Sequence, residues 1–327
     1  MRFALGLARM ATAAWLATAS VPALAQRWIG FYAPWDPASV ASLRAHGADL
    51  AVVVPAWISV TGPDHQVTIA PDVPGRAALA GLHRDPKLWI MIQNASLGSW
   101  DGAGTASLMR DPVATGALLG RIEAEAVGAA ATGLVIDFED LPPAAQPDLR
   151  VFLARARDRA RRHGWTLAVT APVADPAWDL AAIGQVVDRV ILMAYDEHWQ
   201  TGPPGPIASD RWFRSAVARA VAQVPRGRSV VAIASYAYDW PANGPATVLS
   251  VDQAEALAAQ AGAPLVVDPE SGATHFAYAA GGIGHQVWIA NAATAGAQAA
   301  IARAAGAANV ALWRLGTEDG RLWSRSP

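Results

Sequence analysis

The sequence predicts an α/β fold, a (β/α)8 or TIM barrel carrying a small α+β insertion after its seventh strand. Three observations lead there. Eight β-forming stretches alternate with helix-forming ones, the order that builds a parallel sheet. Most of those stretches are continuously apolar, as strands must be when both faces are covered. Polar side chains able to do chemistry gather at strand C-terminal ends, where a barrel places its site. No G-x-G-x-x-G follows the first strand, which argues against a dinucleotide-binding sheet. With 327 residues, 53% of them hydrophobic, the chain can fill one large core.

Trp28 to Trp35 (WIGFYAPW) is the first strand. Asp36-Pro37 starts a helix to about Ala45, because aspartate caps free N–H groups and proline suits the first turn. Leu50 to Ile58 (LAVVVPAWI) is the second strand, and a short helix around Arg76 to Leu82 leads to the third, Lys87 to Asn94. Asp111-Pro112 opens a helix with Val113, Ala117 and Leu118 on one face, and Gly133 to Glu139 is the fourth strand. From about Pro147 to His163, helical spacing aligns Leu149, Phe152, Leu153, Ala156 and Ala160. The arginines on its other faces lack interleaved aromatics, so they read as a solvated exterior and not as a nucleic-acid surface.

Trp165 to Val173 is the fifth strand, Asp175-Pro176 starts a helix, and Arg189 to Asp196 is the sixth strand. A helix over Arg211 to Val224 precedes the seventh strand, Ser229 to Trp240. The insertion covers about Pro241 to Asn291, with a helix around Asp252 to Gln260 and a small sheet from Leu265 to Ile289. A helix over Thr294 to Ala304 and a strand over Val310 to Leu315 complete the barrel.

The N-terminus reads as a cleavable export signal: Arg2 and Arg9, an apolar run from Met10 to Val21, then Ala23-Leu24-Ala25. Cleavage after Ala25 leaves one domain, residues 26–327, in the periplasm or outside the cell. No other run of about 18 apolar residues occurs, so no stable membrane insertion is expected after cleavage. A net charge of −2 provides no field for nucleic acid. The absence of cysteine excludes disulfides, thiolate-bound zinc and a thiol nucleophile. The histidines lack metal-ligand spacing and no serine sits in G-x-S-x-G, so no metal, cofactor or serine nucleophile is expected. The 14 tryptophans include Trp35, Trp57, Trp199, Trp240 and Trp313 near strand ends. Such rings stack on the C–H faces of sugars, which hints at a carbohydrate cleft.

The chemistry centres on the fourth strand. Alternation puts Val135, Asp137 and Glu139 on one face. Two same-facing acids are costly to bury unless they act, and the competing reading is a solvated strand end. Other strand ends contribute Tyr195, Asp196, Tyr238, Asp239 and Trp313, with Trp57, Gln93 and Asn94 beside them.

Gly133-x-x-Ile-Asp-Phe-Glu139 resembles the fourth-strand signature of glycoside hydrolase family 18, the chitinase-like barrels. Met193-Ala-Tyr-Asp196 is similar to the family's sixth-strand motif, and Trp313 in ALWRLG to its eighth-strand tryptophan. The resemblance covers nearly the whole mature chain. It is strongest to the family-18 domains joined to polysaccharide deacetylase and glycosyltransferase modules, through PWDPASVASL, PGPIASDRWF, HQVW and ALWRLGTED.

The resemblance implies an exported hydrolase of N-acetylglucosamine-containing glycans, in which the substrate's acetamido oxygen is the nucleophile. Glu139 is then the general acid, Asp137 orients the acetamide and raises the pKa of Glu139, and Tyr195 donates to the acetamido carbonyl. Asp196 braces the acids or contacts neighbouring groups, and Trp313 is the apolar floor. Trp57, Asn94, Tyr238 and Asp239 are expected to bind sugar hydroxyls. The partner is an N-acetylated oligo- or polysaccharide, with other envelope polysaccharide enzymes as further associates. The better-known signature carries two more aspartates where this chain has Thr132 and Val135. Val135 removes the carboxyl that shares a proton with Asp137, so a catalytically weak or inactive carbohydrate-binding barrel is the alternative.

Overall fold

The computed structural model describes residues 27–62, 64–83, 86–96 and 98–324, and the expected export signal lies outside them. Eight parallel strands close on one another. They are β1 (Ile29–Tyr32), β2 (Val52–Pro55), β3 (Lys87–Gln93), β4 (Gly133–Asp137), β5 (Thr166–Pro172), β6 (Arg189–Met193), β7 (Ser229–Ala234) and β8 (Asn309–Trp313). Neighbours run in chain order, β8 pairs with β1, and every pairing among them is parallel. Alternation divides each strand between two cores. On β4, Val135 joins Phe31, Met91, Ala168 and Ile191 inside the ring, while Leu134 and Ile136 face the helices.

The helices are α1 (Pro37–His46), α2 (Val73–Ala80), α3 (Gly102–Arg110), α4 (Pro112–Gly128), α5 (Gln146–His163), α6 (Leu180–Val186), α7 (Asp210–Gln223), α8 (Val251–Ala261) and α9 (Ala292–Ala304). Asp36 and Asp111 cap α1 and α4, accepting from the N–H groups of Ala38 and of Val113 and Ala114. Asp175 does not start a helix. It accepts from Ala177 N–H inside a turn that lays Trp178 into the outer core, and α6 begins later, capped by Asp179. Asp-Pro opens turns as readily as helices, and the burial of Trp178 decides between them here. α3 is a helix beyond those expected, capped by Asp101 and concealed in the sequence by its glycine-rich opening.

Two expected strands are each divided. LAVVVPAWI stops being barrel at Pro55. Ile58–Thr61 then pairs antiparallel with Gln66–Ile69, forming a hairpin that stands on the end of β3. Ser229 to Trp240 is β7 followed by Ala237–Pro241, which belongs to a separate five-stranded antiparallel sheet. That sheet packs on α8 through Ala237, Phe276, Val287 and Ile289 against Val251, Ala254 and Ala258. The inserted structure therefore departs from the barrel at Ala237, before Pro241.

Candidate active site

β4 ends on Asp137, which is 2% exposed and lies two residues beyond Val135 on the inward face. From the adjacent β5, Thr170 Oγ1 donates to Asp137 Oδ1 at 2.6 Å. Burial pushes the Asp137 carboxyl up to about 6, with the Thr170 hydrogen bond opposing the rise. Glu139 stands just past the strand, and its backbone is held by a side chain. Asn94, fully buried at the end of β3, donates Nδ2–H to Glu139 O and accepts Glu139 N–H at Oδ1, each at 2.9 Å. The α3 N-terminus packs so closely behind this segment that a Cβ on Gly102 would sit 1.8 Å from Asp140 O. Only glycine fits there. Glu139 is pushed well above the carboxylate range, first by burial, then by the charges of Asp137, Asp140 and Asp196. With both acids raised, the pair can hold a proton at a pH where free carboxylates have lost theirs.

The β6 end supplies Tyr195 and Asp196. Asp196 has a left-handed backbone (φ 59°), and its Oδ1 accepts the hydroxyls of Tyr236 and, at 3.2 Å, Tyr238. Burial and then the charges of Glu139, Asp137 and Asp196 hold the Tyr195 hydroxyl protonated, so it is a donor. Its ring lies 6.4 Å from that of Trp313 at an interplanar angle of 17°. Trp313 in turn meets Phe31 edge-on at 5.3 Å. Trp313 lines two cavities. One, of about 650 Å³, is walled by Trp35, Ser59, Thr61, Thr68, Gln93 and Trp100. The other, of about 230 Å³, is walled by Asp196, Tyr236, Tyr238, Val248, Arg314 and Thr317.

The structure thus brings Asp137, Glu139, Tyr195, Asp196, Tyr238 and Trp313 together. Three residues expected to bind sugar hydroxyls are engaged elsewhere. Asn94 uses both ends of its amide on the Glu139 backbone. Trp57 is 2% exposed, gives Nε1–H to Asp72 Oδ2 at 2.7 Å and lies under the Arg76 guanidinium. Asp239 accepts from Tyr278 at 2.7 Å and contacts His285 Nδ1 at 2.9 Å, on the sheet face that packs on α8. The period of two sends it away from its neighbour Tyr238. Tyr236 and Thr170 also belong to the site, though no sequence motif singles out either. Thr170 had a readable sign, a polar residue at an inward position within the apolar middle of its strand. Among the described residues, no three histidine or acidic side chains gather as a metal site.

A closed (β/α)8 barrel whose mouth joins a protonatable carboxylate pair, a phenol donor and a tryptophan floor has the makings of a glycoside-cleaving enzyme. The chain belongs to the glycosyl hydrolases family 18, whose family model matches residues 27–318, and is accordingly a glycosidase. It is 26% identical over 268 residues to the "Uncharacterized glycosylase YvbX" of Bacillus subtilis, covering 77% of each chain. It is 25% identical over 249 residues to the cortical fragment-lytic enzyme of Bacillus anthracis, covering 72% of this chain but 58% of that protein. Among solved structures, a chitinase from Chromobacterium violaceum superposes with a TM-score of 0.83 at 25% identity, covering 92% of this chain and 97% of the other.

Proposed function

We propose that the protein is an exported glycosidase that cleaves glycans containing N-acetylglucosamine by substrate-assisted, retaining catalysis. The observation that carries this reading is the buried acid pair at the end of β4, Asp137 held by Thr170 and Glu139 seated through its backbone by Asn94, with both carboxyls raised by burial and Glu139 also by the charge of Asp137. Glu139 gives that proton to the glycosidic oxygen as the C1–O bond breaks. The acetamido carbonyl oxygen of the same sugar attacks C1, giving an oxazolinium-like intermediate and retaining configuration once water has opened it. Asp137 accepts the acetamide N–H, and Tyr195 O–H donates to the acetamido oxygen, so together they aim the nucleophile. The Trp313 ring underlies the reacting sugar.

The cavity of about 650 Å³ gives neighbouring sugars the Trp35 and Trp100 rings, with Ser59, Thr61 and Thr68 from the added hairpin as polar contacts. The relative called a cortical fragment-lytic enzyme and the chitinase neighbour both point to N-acetylated wall or chitin-like glycans. An export signal over residues 1–25 would deliver the enzyme to such a polymer. The segments shared with deacetylase-linked family-18 domains make other envelope polysaccharide enzymes its natural associates.

Wild type and Glu139→Gln are to be compared on a panel of N-acetylated oligosaccharides and cell-wall fragments, with products read by mass spectrometry. The expected result is cleavage by wild type alone. Undiminished cleavage by Glu139→Gln overturns the assignment, and tight binding without cleavage by wild type makes the barrel a lectin.

A further inference from the structure

We propose that Thr170 is the positioning residue of the acid pair, a neutral hydroxyl that takes over the partner role left open at Val135 and serves Asp137 with or without its proton. The inference rests on the glycosidase reading above. Its basis is the surroundings of Asp137. Below the carboxylate, Val135 is fully buried with Phe31, Met91 and Ala168 in the barrel interior, so the residue on the same face offers no hydrogen bond. Thr170 follows Ala168 by two positions on β5, shares its inward face and is itself 2% exposed. No other side chain is hydrogen-bonded to Asp137 among the described residues.

The Thr170 hydroxyl has one proton and two acceptors within reach, Asp137 Oδ1 at 2.6 Å and the Ile136 carbonyl at 3.3 Å. With Asp137 ionised, the hydroxyl donates to the carboxylate, a charge-assisted bond and the shorter contact. With Asp137 protonated, the carboxyl O–H donates to Thr170 Oγ1, and the threonine proton turns to Ile136 O. In both states Asp137 Oδ1 and Thr170 Oγ1 stay paired, because a hydroxyl donates and accepts at once. A second carboxyl would also provide a partner in both states, but by adding an ionisable group next to Asp137. Thr170 adds none. The ionisable groups facing Asp137 among the described residues are then Glu139 and, from the end of β6, Tyr195, so proton traffic is directed to the cleft side and not into the barrel.

Thr170→Val removes the hydroxyl at nearly constant volume, and Thr170→Ser restores it. The measurement is the pH dependence of kcat and KM for both variants beside wild type, on whichever oligosaccharide wild type cleaves. Expected for Thr170→Val is a roughly tenfold fall in kcat, the loss of one charge-assisted hydrogen bond. KM should stay nearly constant and the acidic limb should move to higher pH, with both changes reversed in Thr170→Ser. A Thr170→Val profile that superposes on that of wild type, or a serine variant as impaired as the valine, overturns the inference. Thermal unfolding reads the same contact without any substrate. Thr170→Val is expected to lower Tm more at pH 8, where Asp137 is ionised, than at pH 5, and an equal loss at both pH values overturns the inference. Failure of the glycosidase reading appears separately, as the absence of cleavage by wild type.

Discussion

The acids at the end of β4 and the acids held by the inserted sheet are built in opposite ways. Asp239 is engaged at both oxygens by Tyr278 and His285, and Asp196 carries two phenols on one oxygen. Asp137 has one threonine hydroxyl, and the Glu139 carboxyl has no hydrogen-bond partner among the described residues, its brace falling on the backbone instead. Paired carboxylates are fixed in place. Sparsely paired ones in a buried setting can change charge within reach of neutral pH. The contrast separates acids that hold the structure from acids fit to do chemistry, more sharply than their common position at strand ends does.

The largest test of this contrast is Glu139→Gln, expected to cut kcat by roughly 10²–10⁴-fold, the range of general acid–base catalysis, without loss of stability. Asp137→Asn should lose activity and yet gain stability at neutral pH. Because burial raises the folded-state pKa of Asp137 to about 6, the native state keeps a proton that the unfolded chain has released. Stability therefore falls as pH rises from about 4 to about 6. The asparagine variant escapes that fall, so its advantage, on the order of 2 kcal/mol above pH 7, should shrink towards zero at pH 4 in denaturant titrations. Asp239→Ala inverts the pattern: a stability loss of about 1–2 kcal/mol with kcat unchanged, since it strips a donor pair inside the sheet. A fall in kcat with unchanged stability would break the division. Tyr236→Phe sits between the two classes and should cost up to about 1 kcal/mol of stability while raising KM modestly, because Asp196 keeps Tyr238.

Much of this was legible in the sequence because it rests on local rules. The barrel followed from apolar runs in alternation with Asp-Pro helix starts, and the acid pair from a two-residue period at one strand end. The failures came where a local signal has two outcomes. Asp175-Pro176 is a turn because Trp178 must be buried, and LAVVVPAWI divides because the chain leaves the barrel after Pro55. Asn94, Trp57 and Asp239 were placed correctly along their strands, but what each faces depends on partners distant in the chain. Asp72 is 15 residues from Trp57, Glu139 is 45 from Asn94, and His285 is 46 from Asp239. Tyr236 lay inside what read as one strand, and only the break after Ala234 turns it towards Asp196.

The amide of Asn94 also makes a mechanical linkage. Its own carbonyl accepts the N–H of Asp101 at 2.8 Å, and Asp101 caps α3 and holds Gly62 N–H at the tip of the added hairpin, also at 2.8 Å. Trp100, next in sequence, forms part of the cleft wall. Wall, hairpin and acid therefore share one short train of hydrogen bonds running from Gly62 through Asp101 and Asn94 to Glu139. Under the proposed mechanism, a polymer leaning on that wall would press on the same train that seats Glu139, so grip on the chain and aim of the acid would be set together.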